Sequence, residues 1–367
     1  MPLHVRSDQR GGDEQERGGD PHDPHWNASL APRLRASLVL LRHRAPRSVP
    51  RTTPRAERTA ARSSVVAPSG MSAGRGCTGG EIDRKTLPRD YPFGLTSWPL
   101  EPFGQAHPVR AYFNDPRIAG TSRSFHFGID IAAPNGTPVY AVRSGVVHIE
   151  GGRSLAVADG DVAFGYWHVI PAVGDRQSVV RGQLLGHIEA PWLHLHFAEH
   201  RAGAYLDPLR PGGLAPWRDT TAPRVTKIVL SRNGRALAPA AVSGAVDVIA
   251  GAHQMPPIAV PKPWDGLPVT PARIRWRVRR GGTTVRPWHT PIDFSKGLLP
   301  QDRFRWIYAP GTRQNHAGKP GLYRFYVAHT WSTELLPDGR YVIEVEASDL
   351  YGNRGALELA VTLANDL

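Results

Sequence analysis

Two short runs of the chain place candidate metal ligands on one face of a strand and apolar side chains on the other. In the first run, a period of two puts His126, Gly128 and Asp130 on one face. In the second run, the same period puts His194 and His196 on one face. Each run predicts a β-strand with one face toward a core and the other toward a metal, and Gly128 is expected to leave room for the ion. Imidazoles, a carboxylate and an open position are typical of a catalytic zinc.

The remaining strand signals predict an all-β chain. Between residues 120 and 200, short β-rich runs alternate with turn residues, and no helical period of any length interrupts them. This pattern predicts an antiparallel β-sheet domain over residues 86–213. Residues 1–85 are rich in Arg, Pro and Ser and predict a disordered tail. Alternating runs with intervening turns predict a β-sandwich domain over residues 214–367.

Two finer expectations concern the connections between strands. The β-rich runs at 138–142 and 144–149 meet at Arg143-Ser144-Gly145, which predicts a hairpin. Residues 287–322 predict a long loop or an insertion in the second domain.

One strand of the second domain carries arginine at every second position. The arginines share one face, and Ile274, Trp276 and Val278 share the other. The arginine face is a candidate contact for an anionic envelope polymer, because clustered positive charge raises the local concentration of polyanions. A solvated face without a partner is the alternative. The residues of this candidate contact are Arg273, Arg275, Arg277 and Arg279.

Composition and charge exclude several classes of protein. The single cysteine, Cys77, excludes an intrachain disulfide framework and a thiolate zinc cluster. No run approaches the ~20 apolar residues of a membrane span. The net charge of +13 is uneven, since residues 33–62 hold nine arginines and one acid. An unstructured tail accounts for this excess, so no nucleic-acid partner is expected.

Four motifs in order carry a resemblance to a known family. Residues 105–210 resemble the lysostaphin-type zinc metallopeptidases, which cut peptide cross-links in bacterial cell walls. The end of the chain, with an Asp-Gly turn, a strand, Asp-x-x-Gly-Asn and a last strand, resembles bacterial immunoglobulin-like domains. The motifs of the first resemblance are His126-Phe127-Gly128-Ile129-Asp130, Gly136-Thr137-Pro138-Val139-Tyr140-Ala141, Tyr166-Trp167-His168 and His194-Leu195-His196-Phe197.

The family resemblance implies one zinc ion per chain and a role for five residues. His126, Asp130 and His196 would bind the zinc, while His168 and His194 would be the catalytic histidines. Three protein ligands leave a fourth position for water, whose pKa falls to about 7 on zinc, and this water would attack the scissile carbonyl. We expect His194 to act as the base and His168 to support the developing oxyanion.

The function implied is zinc-dependent endopeptidase hydrolysis of peptide bonds in bacterial peptidoglycan. The resemblance also implies a location in the cell envelope or outside the cell, although the N-terminus shows no readable signal peptide. Two alternatives stay open: a non-catalytic zinc-binding or metal-free scaffold that regulates another wall hydrolase, and a zinc peptidase with a non-wall substrate. All five site residues precede residue 214, so the first domain alone is expected to cut small peptides. Residues 189–193 depart from the Gly/Ser/Thr-rich stretch that borders the family's substrate groove, which bears on specificity more than on catalysis.

Overall fold

The computed structural model describes residues 96–366, which form β-strands and turns almost throughout. The all-β class expected from the sequence is therefore confirmed. The tail expected over residues 1–85, including Cys77, lies outside the described residues. Within the described part of the chain, no helix is long and apolar enough to cross a membrane.

The first region contains fifteen strands, most of them short because turn residues interrupt the chain. Its last strand pairs in parallel with its first, so backbone pairing of this region extends through Ala215. The domain boundary at residues 213 and 214 remains a prediction. The strands are β1 (Thr96–Ser97), β2 (Val109–Ala111), β3 (Pro116–Ala119), β4 (Ser122–Phe125), β5 (Ile129–Ala132), β6 (Pro138–Tyr140), β7 (Gly145–Glu150), β8 (Ser154–Asp159), β9 (Val162–Trp167), β10 (Val169–Pro171), β11 (Ser178–Val179), β12 (Leu184–Ile188), β13 (His194–Arg201), β14 (Ala204–Leu206) and β15 (Leu214–Ala215).

An eight-stranded antiparallel sheet dominates this region. Its order is β11-β7-β8-β9-β13-β5-β2, and β14 pairs with β13. Strand β13 therefore lies between β9 and β5, and one of its faces packs into the core. Ile129, Ile131, Leu195 and Phe197 are fully buried there, as the period-two pattern predicts.

The hairpin expected between residues 138–142 and 144–149 does not form. Strand β6 pairs with β12 in a separate three-stranded sheet, whereas β7 pairs with β8 in the main sheet. The Ala141 N–H donates to the Gln183 carbonyl, and the Ala141 carbonyl accepts from Gly182. These bonds occupy backbone groups that a hairpin would use, so the turn joins two sheets instead.

The second region contains two four-stranded sheets that bury their apolar faces in one core. Their orders are β17-β16-β18-β21 and β20-β19-β22-β23. The immunoglobulin-like class of this region remains a prediction. The strands are β16 (Arg224–Arg232), β17 (Arg235–Ala236), β18 (Ala245–His253), β19 (Arg273–Arg280), β20 (Thr283–Asp293), β21 (Arg324–Ser332), β22 (Gly339–Ser348) and β23 (Arg354–Leu363).

The prediction of a long loop over residues 287–322 is wrong for its first residues, which belong to a strand. Short helical turns interrupt the remainder. Strand β20 continues to Asp293, paired along its length with β19. Two 3-10 turns, Phe294–Lys296 and Gln301–Arg303, and the short helix α1 (Phe304–Ile307) follow. The sequence lacks a long period here because each of these elements is only a turn or so long.

Strand β19 alternates as the sequence predicts, with Ile274, Trp276 and Val278 fully buried. Its arginines, however, do not present uncompensated charge. Each one lies within ion-pair distance of a carboxylate on β20, β22 or β23, so four arginines face four acids. The anionic-polymer partner remains a prediction, but the free positive face on which it rested is absent from the described strands. The pairs are Arg273 with Asp293, Arg275 with Glu346, Arg277 with Glu344, and Arg279 with Glu358.

The two regions share packing beside the first candidate ligand strand. Phe125, at the end of β4, belongs to the core of the second region and is 3% exposed. Its ring centroid lies 5.4 Å from that of Phe304 and 5.8 Å from that of Tyr308. The Asn114 side chain donates to the Gly297 carbonyl. The backbone around His126 is therefore held by contacts from both regions.

Candidate metal centre

Strand pairing brings the three candidate ligands together. In the antiparallel pair β5–β13, Asp130 lies directly opposite His196. His126 lies just before β5, where its N–H donates to the Asp115 carbonyl and its carbonyl accepts from Asn114. All three ligand side chains are at most 1% exposed.

The donor atoms of this triad converge on one point. His126 Nε2 lies 2.8 Å from His196 Nδ1, and Asp130 Oδ1 lies 3.1 Å from each of them. Two ring nitrogens this close need a proton or a cation between them, because two lone pairs would repel. A tetrahedral zinc about 2.0–2.1 Å from each donor would separate the donors by about 3.3 Å. The triad would open by only a few tenths of an ångström to hold the ion.

The protonation states also fit zinc. His126 Nδ1 lies 2.9 Å from the Tyr112 carbonyl and donates to it, which leaves Nε2 free to bind a metal. Burial lowers the pKa of His126 to about 3 and also lowers the pKa of His196. Burial alone would raise the pKa of Asp130, but its contact with His126 and the positive charge of Arg110 hold that pKa well below its ordinary value. Two neutral imidazoles and an ionised carboxylate form a donor set that zinc prefers.

Gly128 is needed for a different reason from the one expected. A Cβ at this position would lie 2.4 Å from the Phe197 carbonyl oxygen and 3.0 Å from His196 Nε2. The first contact is with backbone, which cannot move aside. The glycine therefore lets β13 and the His196 ring approach β5, and it is this approach that assembles the triad.

The two histidines expected to be catalytic lie beside the triad. His194 Nδ1 donates to the Trp192 carbonyl at 2.6 Å, which leaves Nε2 as an acceptor 3.8 Å from Asp130 Oδ1. His168 follows β9 and has a φ of 63°, a left-handed conformation that is uncommon outside glycine. Its ring stacks on Trp192 with centroids 4.0 Å apart and lies 4.7 Å from that of His194. The structure thus brings all five residues predicted from the sequence into one group.

Burial keeps both of these histidines neutral. It lowers the pKa of His168 to about 3, with the charge of His196 adding to the shift. Burial, followed by the charge of Arg110, lowers the pKa of His194 well below its ordinary value. Neutral imidazoles next to a metal triad can accept a proton or donate an N–H bond.

Two arginines that the sequence did not single out also reach the centre. Arg110 in β2 and Arg117 in β3 each place Nη2 3.0 Å from Asp130 Oδ2. Arg110 Nη2 also lies 3.0 Å from His194 Nε2. The one sequence feature that could have indicated Arg110 is its position between two apolar residues of a short strand. Val109 and Ala111 are both buried there.

His194, at the edge of the centre, lines a cleft between the two regions. The first region contributes Arg110, Arg117 and Trp192 to its lining, and the second contributes Trp264 and His316. Residues 189–193 border the cleft through Trp192, in agreement with the groove position expected from the resemblance. His316 carries no ligand spacing in the sequence, yet it lies on the opposite wall.

A strand-built triad of two histidines and an aspartate, with two more histidines beside it, one of which lines an open cleft, defines a candidate mononuclear metallohydrolase centre. Residues 124–208 match the family model "Peptidase family M23", and this span includes all five site residues. The family expectation is confirmed: this part of the chain is a peptidase domain of family M23. No curated protein matches the chain.

Several solved structures are similar to this chain. Helicobacter pylori Csd3 is 21% identical over 31% of this chain and 34% of its own, with a TM-score of 0.27. A zinc-containing peptidase from Vibrio cholerae is 24% identical over 30% of this chain and 39% of its own, with a TM-score of 0.27. The catalytic domain of the antimicrobial peptidase lysostaphin from Staphylococcus simulans is 25% identical over 26% of this chain and 86% of its own, with a TM-score of 0.24. The chain thus spans well under half of the first two proteins, and the activity of the whole chain is a proposal.

Proposed function

We propose that this chain is a zinc-dependent endopeptidase that hydrolyses peptide bonds of bacterial cell-wall peptidoglycan, with one zinc ion per chain. The observation that carries the proposal is the convergence of His126, Asp130 and His196 beside two neutral histidines, one of which lines an open cleft. The family match supports the peptidase class. A wall substrate places its action in the cell envelope or outside the cell.

The residues of the centre divide the chemistry between them. The triad would hold zinc, which supplies a Lewis acid and lowers the pKa of a water molecule. Because Nδ1 is committed to the Trp192 carbonyl, the lone pair of His194 is on Nε2, where Arg110 Nη2 donates to it at 3.0 Å. When that hydrogen bond gives way to the attacking water, Nε2 can take its proton and return it to the leaving amine. We assign to His168, whose ring stacks on Trp192, an N–H bond to the developing oxyanion.

Metal content and wall digestion test this proposal together. The pure chain should hold about one zinc, as a mononuclear catalytic site does. It should release peptides with new amino termini from isolated peptidoglycan, and a chelator should stop the release. Full zinc occupancy without any release would overturn the wall-peptidase proposal and favour the scaffold alternative. Hydrolysis of unrelated peptides but not of walls would favour a non-wall substrate.

A further inference from the structure

The two arginines beside the triad are placed in an unusual way. Both side chains are 11% exposed, and both direct Nη2 at the same carboxylate oxygen, Asp130 Oδ2. The other oxygen of Asp130 faces the two ligand histidines. The buried Asp130 carboxylate therefore contacts the two ligand histidines through Oδ1 and the two guanidinium groups through Oδ2.

The charges of the cleft do not balance once a divalent ion is bound. Asp115 is the carboxylate that lines the cleft, beside the buried Asp130, and it already accepts the backbone N–H groups of Tyr112 and Thr270. Even with Asp115 counted as ionised, two arginines offset two carboxylates. A divalent ion on the triad then leaves about two positive charges without a partner. Buried charge without a partner is costly, so an anion is favoured beside the ion.

The cleft wall from the second region fixes one of the arginines. The guanidinium carbon of Arg110 lies 3.8 Å above the ring of Trp264, and its other side faces Asp130 and His194. The Pro263 carbonyl, next to Trp264, accepts the N–H of Gly318. This connection anchors the tryptophan to the loop that carries His316. The arginine is thus held in place before any ligand arrives.

We propose that Arg110 and Arg117 bind a substrate carboxylate next to the scissile bond, so that the enzyme selects peptides with a free carboxylate there. A planar guanidinium matches a carboxylate better than any other protein cation does. Both arginines line the open cleft, and His194 lies within 3.0 Å of Arg110. This assignment rests on the proposed peptidase function and names the chemical class of its substrate.

A matched set of substrates tests the selection. The probes are a soluble cross-linked peptide fragment of peptidoglycan and the same fragment with every free carboxylate amidated. Amidation should lower kcat/KM by about 10- to 100-fold, the value of a hydrogen bond to a charged group. Fragments amidated only at the C-terminal carboxylate, or only at side-chain carboxylates, identify which source the arginines bind. Equal kcat/KM for the free and the amidated fragments would overturn the assignment.

A binding measurement separates this assignment from the proposed function. The protein is the zinc-loaded full chain carrying His194→Ala, and the readout is the calorimetric Kd of each fragment. Weaker binding of the amidated fragment supports the carboxylate site whether or not the native enzyme cuts either one. If the native chain cleaved neither fragment while the variant still bound the free fragment more tightly than the amidated one, the proposed peptidase function would be refuted. The carboxylate site would remain supported.

Variants distinguish a substrate site from a purely structural pair. Arg117→Gln should remove the preference for the free fragment and retain zinc affinity within about tenfold of the native value, whereas Arg117→Lys should keep part of the preference. Arg143→Gln, on an exposed arginine paired with Asp159, should change neither. If Arg117→Gln lost zinc by 100-fold or more while the native chain bound both fragments equally, the arginines would only orient Asp130.

Trp264 has a separate prediction as a positioning residue. Trp264→Ala should raise KM for the free fragment by about three- to tenfold, because the stacking that holds Arg110 is lost. The value of kcat should stay near the native one, and Trp264→Phe should restore KM. A loss confined to kcat, or an equal loss on the amidated fragment, would contradict this role.

Discussion

Arginines meet carboxylates in both regions of the molecule, but the ratio and the burial differ. On β19 each arginine pairs with a different carboxylate, and the arginine side chains are 24–45% exposed. In the cleft, Arg110 and Arg117 share one oxygen of Asp130 and are 11% exposed. The arginines of β19 are therefore paired and partly exposed to solvent, whereas the two cleft arginines share one carboxylate and are nearly buried.

This difference shows that a pattern of charged residues in a sequence is a poor guide to the net charge of the surface that those residues form after folding. The alternating arginines of β19 are the most visible positive feature of the folded part of the chain. Acids on neighbouring strands neutralise them, and exposed pairs of this kind contribute about 0–1 kcal/mol each. Arg110 and Arg117, whose charge is in excess beside a bound ion, belong to no sequence pattern. Their burial next to the metal position increases the effect of each charge.

The strongest contrast between the two environments is expected at Asp130. Asp130→Ala should abolish zinc binding and activity, and it should remove the carboxylate that two buried arginines share. The free energy of unfolding should fall by about 3–5 kcal/mol. Elemental analysis and denaturant unfolding measure the two effects.

A surface pair provides the control for that variant. Asp159 pairs with Arg143, and both side chains are about half exposed, at 53% and 46%. Asp159→Ala should cost less than about 1 kcal/mol and leave zinc in place. Zinc retention by Asp130→Ala would contradict the triad, and His126→Ala provides an independent check on it.

The next largest effect separates ligands from catalysts. His194→Ala and His168→Ala should keep zinc yet lose about 10²–10⁴-fold in turnover, which is the usual contribution of general acid-base catalysis. Zinc content and kcat are measured on the same samples. His187→Ala, at an exposed position of β12, should change neither quantity. If either catalytic variant lost zinc as completely as His196→Ala, the division of roles would be wrong.

Packing between the regions gives a smaller effect on activity and a clear effect on stability. Phe125→Ala should lower the free energy of unfolding by about 3–5 kcal/mol, because it opens a cavity between the ligand strand and the second region. Phe125→Leu should cost less. A chain ending at Gly213 tests the expectation that the first region suffices for small peptides. Full activity of that shorter chain would show that the shared core is dispensable for catalysis.

The smallest effect is expected on β19. Arg275→Ser and Arg277→Ser should each cost about 1 kcal/mol or less, since both pairs are partly exposed. Retention on cell walls decides the anionic-polymer hypothesis separately. That hypothesis requires the double variant to bind walls more weakly, with an effect that fades above about 0.15 M salt. Unchanged retention would refute it.

Local patterns account for the part of the centre that was predicted from sequence. His126 and Asp130 are four residues apart, and His194 and His196 are two apart, so a strand period and one pairing of strands place them together. The alternation of β19 and β22 likewise predicts which side chains are buried. The hairpin at residues 138–149 failed because a turn signal does not state which strand its neighbours will pair with.

The amino-acid sequence by itself determined the all-β class, the inward faces of the strands and the five residues gathered at the candidate metal centre. Only the tertiary structure decided that Arg110 and Arg117 share Asp130, and that Trp264 closes the cleft over Arg110. Periodicity reports which way a side chain points from its own backbone, and a motif reports neighbours a few residues away. Contacts between separate strands and loops depend on how the strands pair and how the sheets pack, and no local pattern encodes that packing.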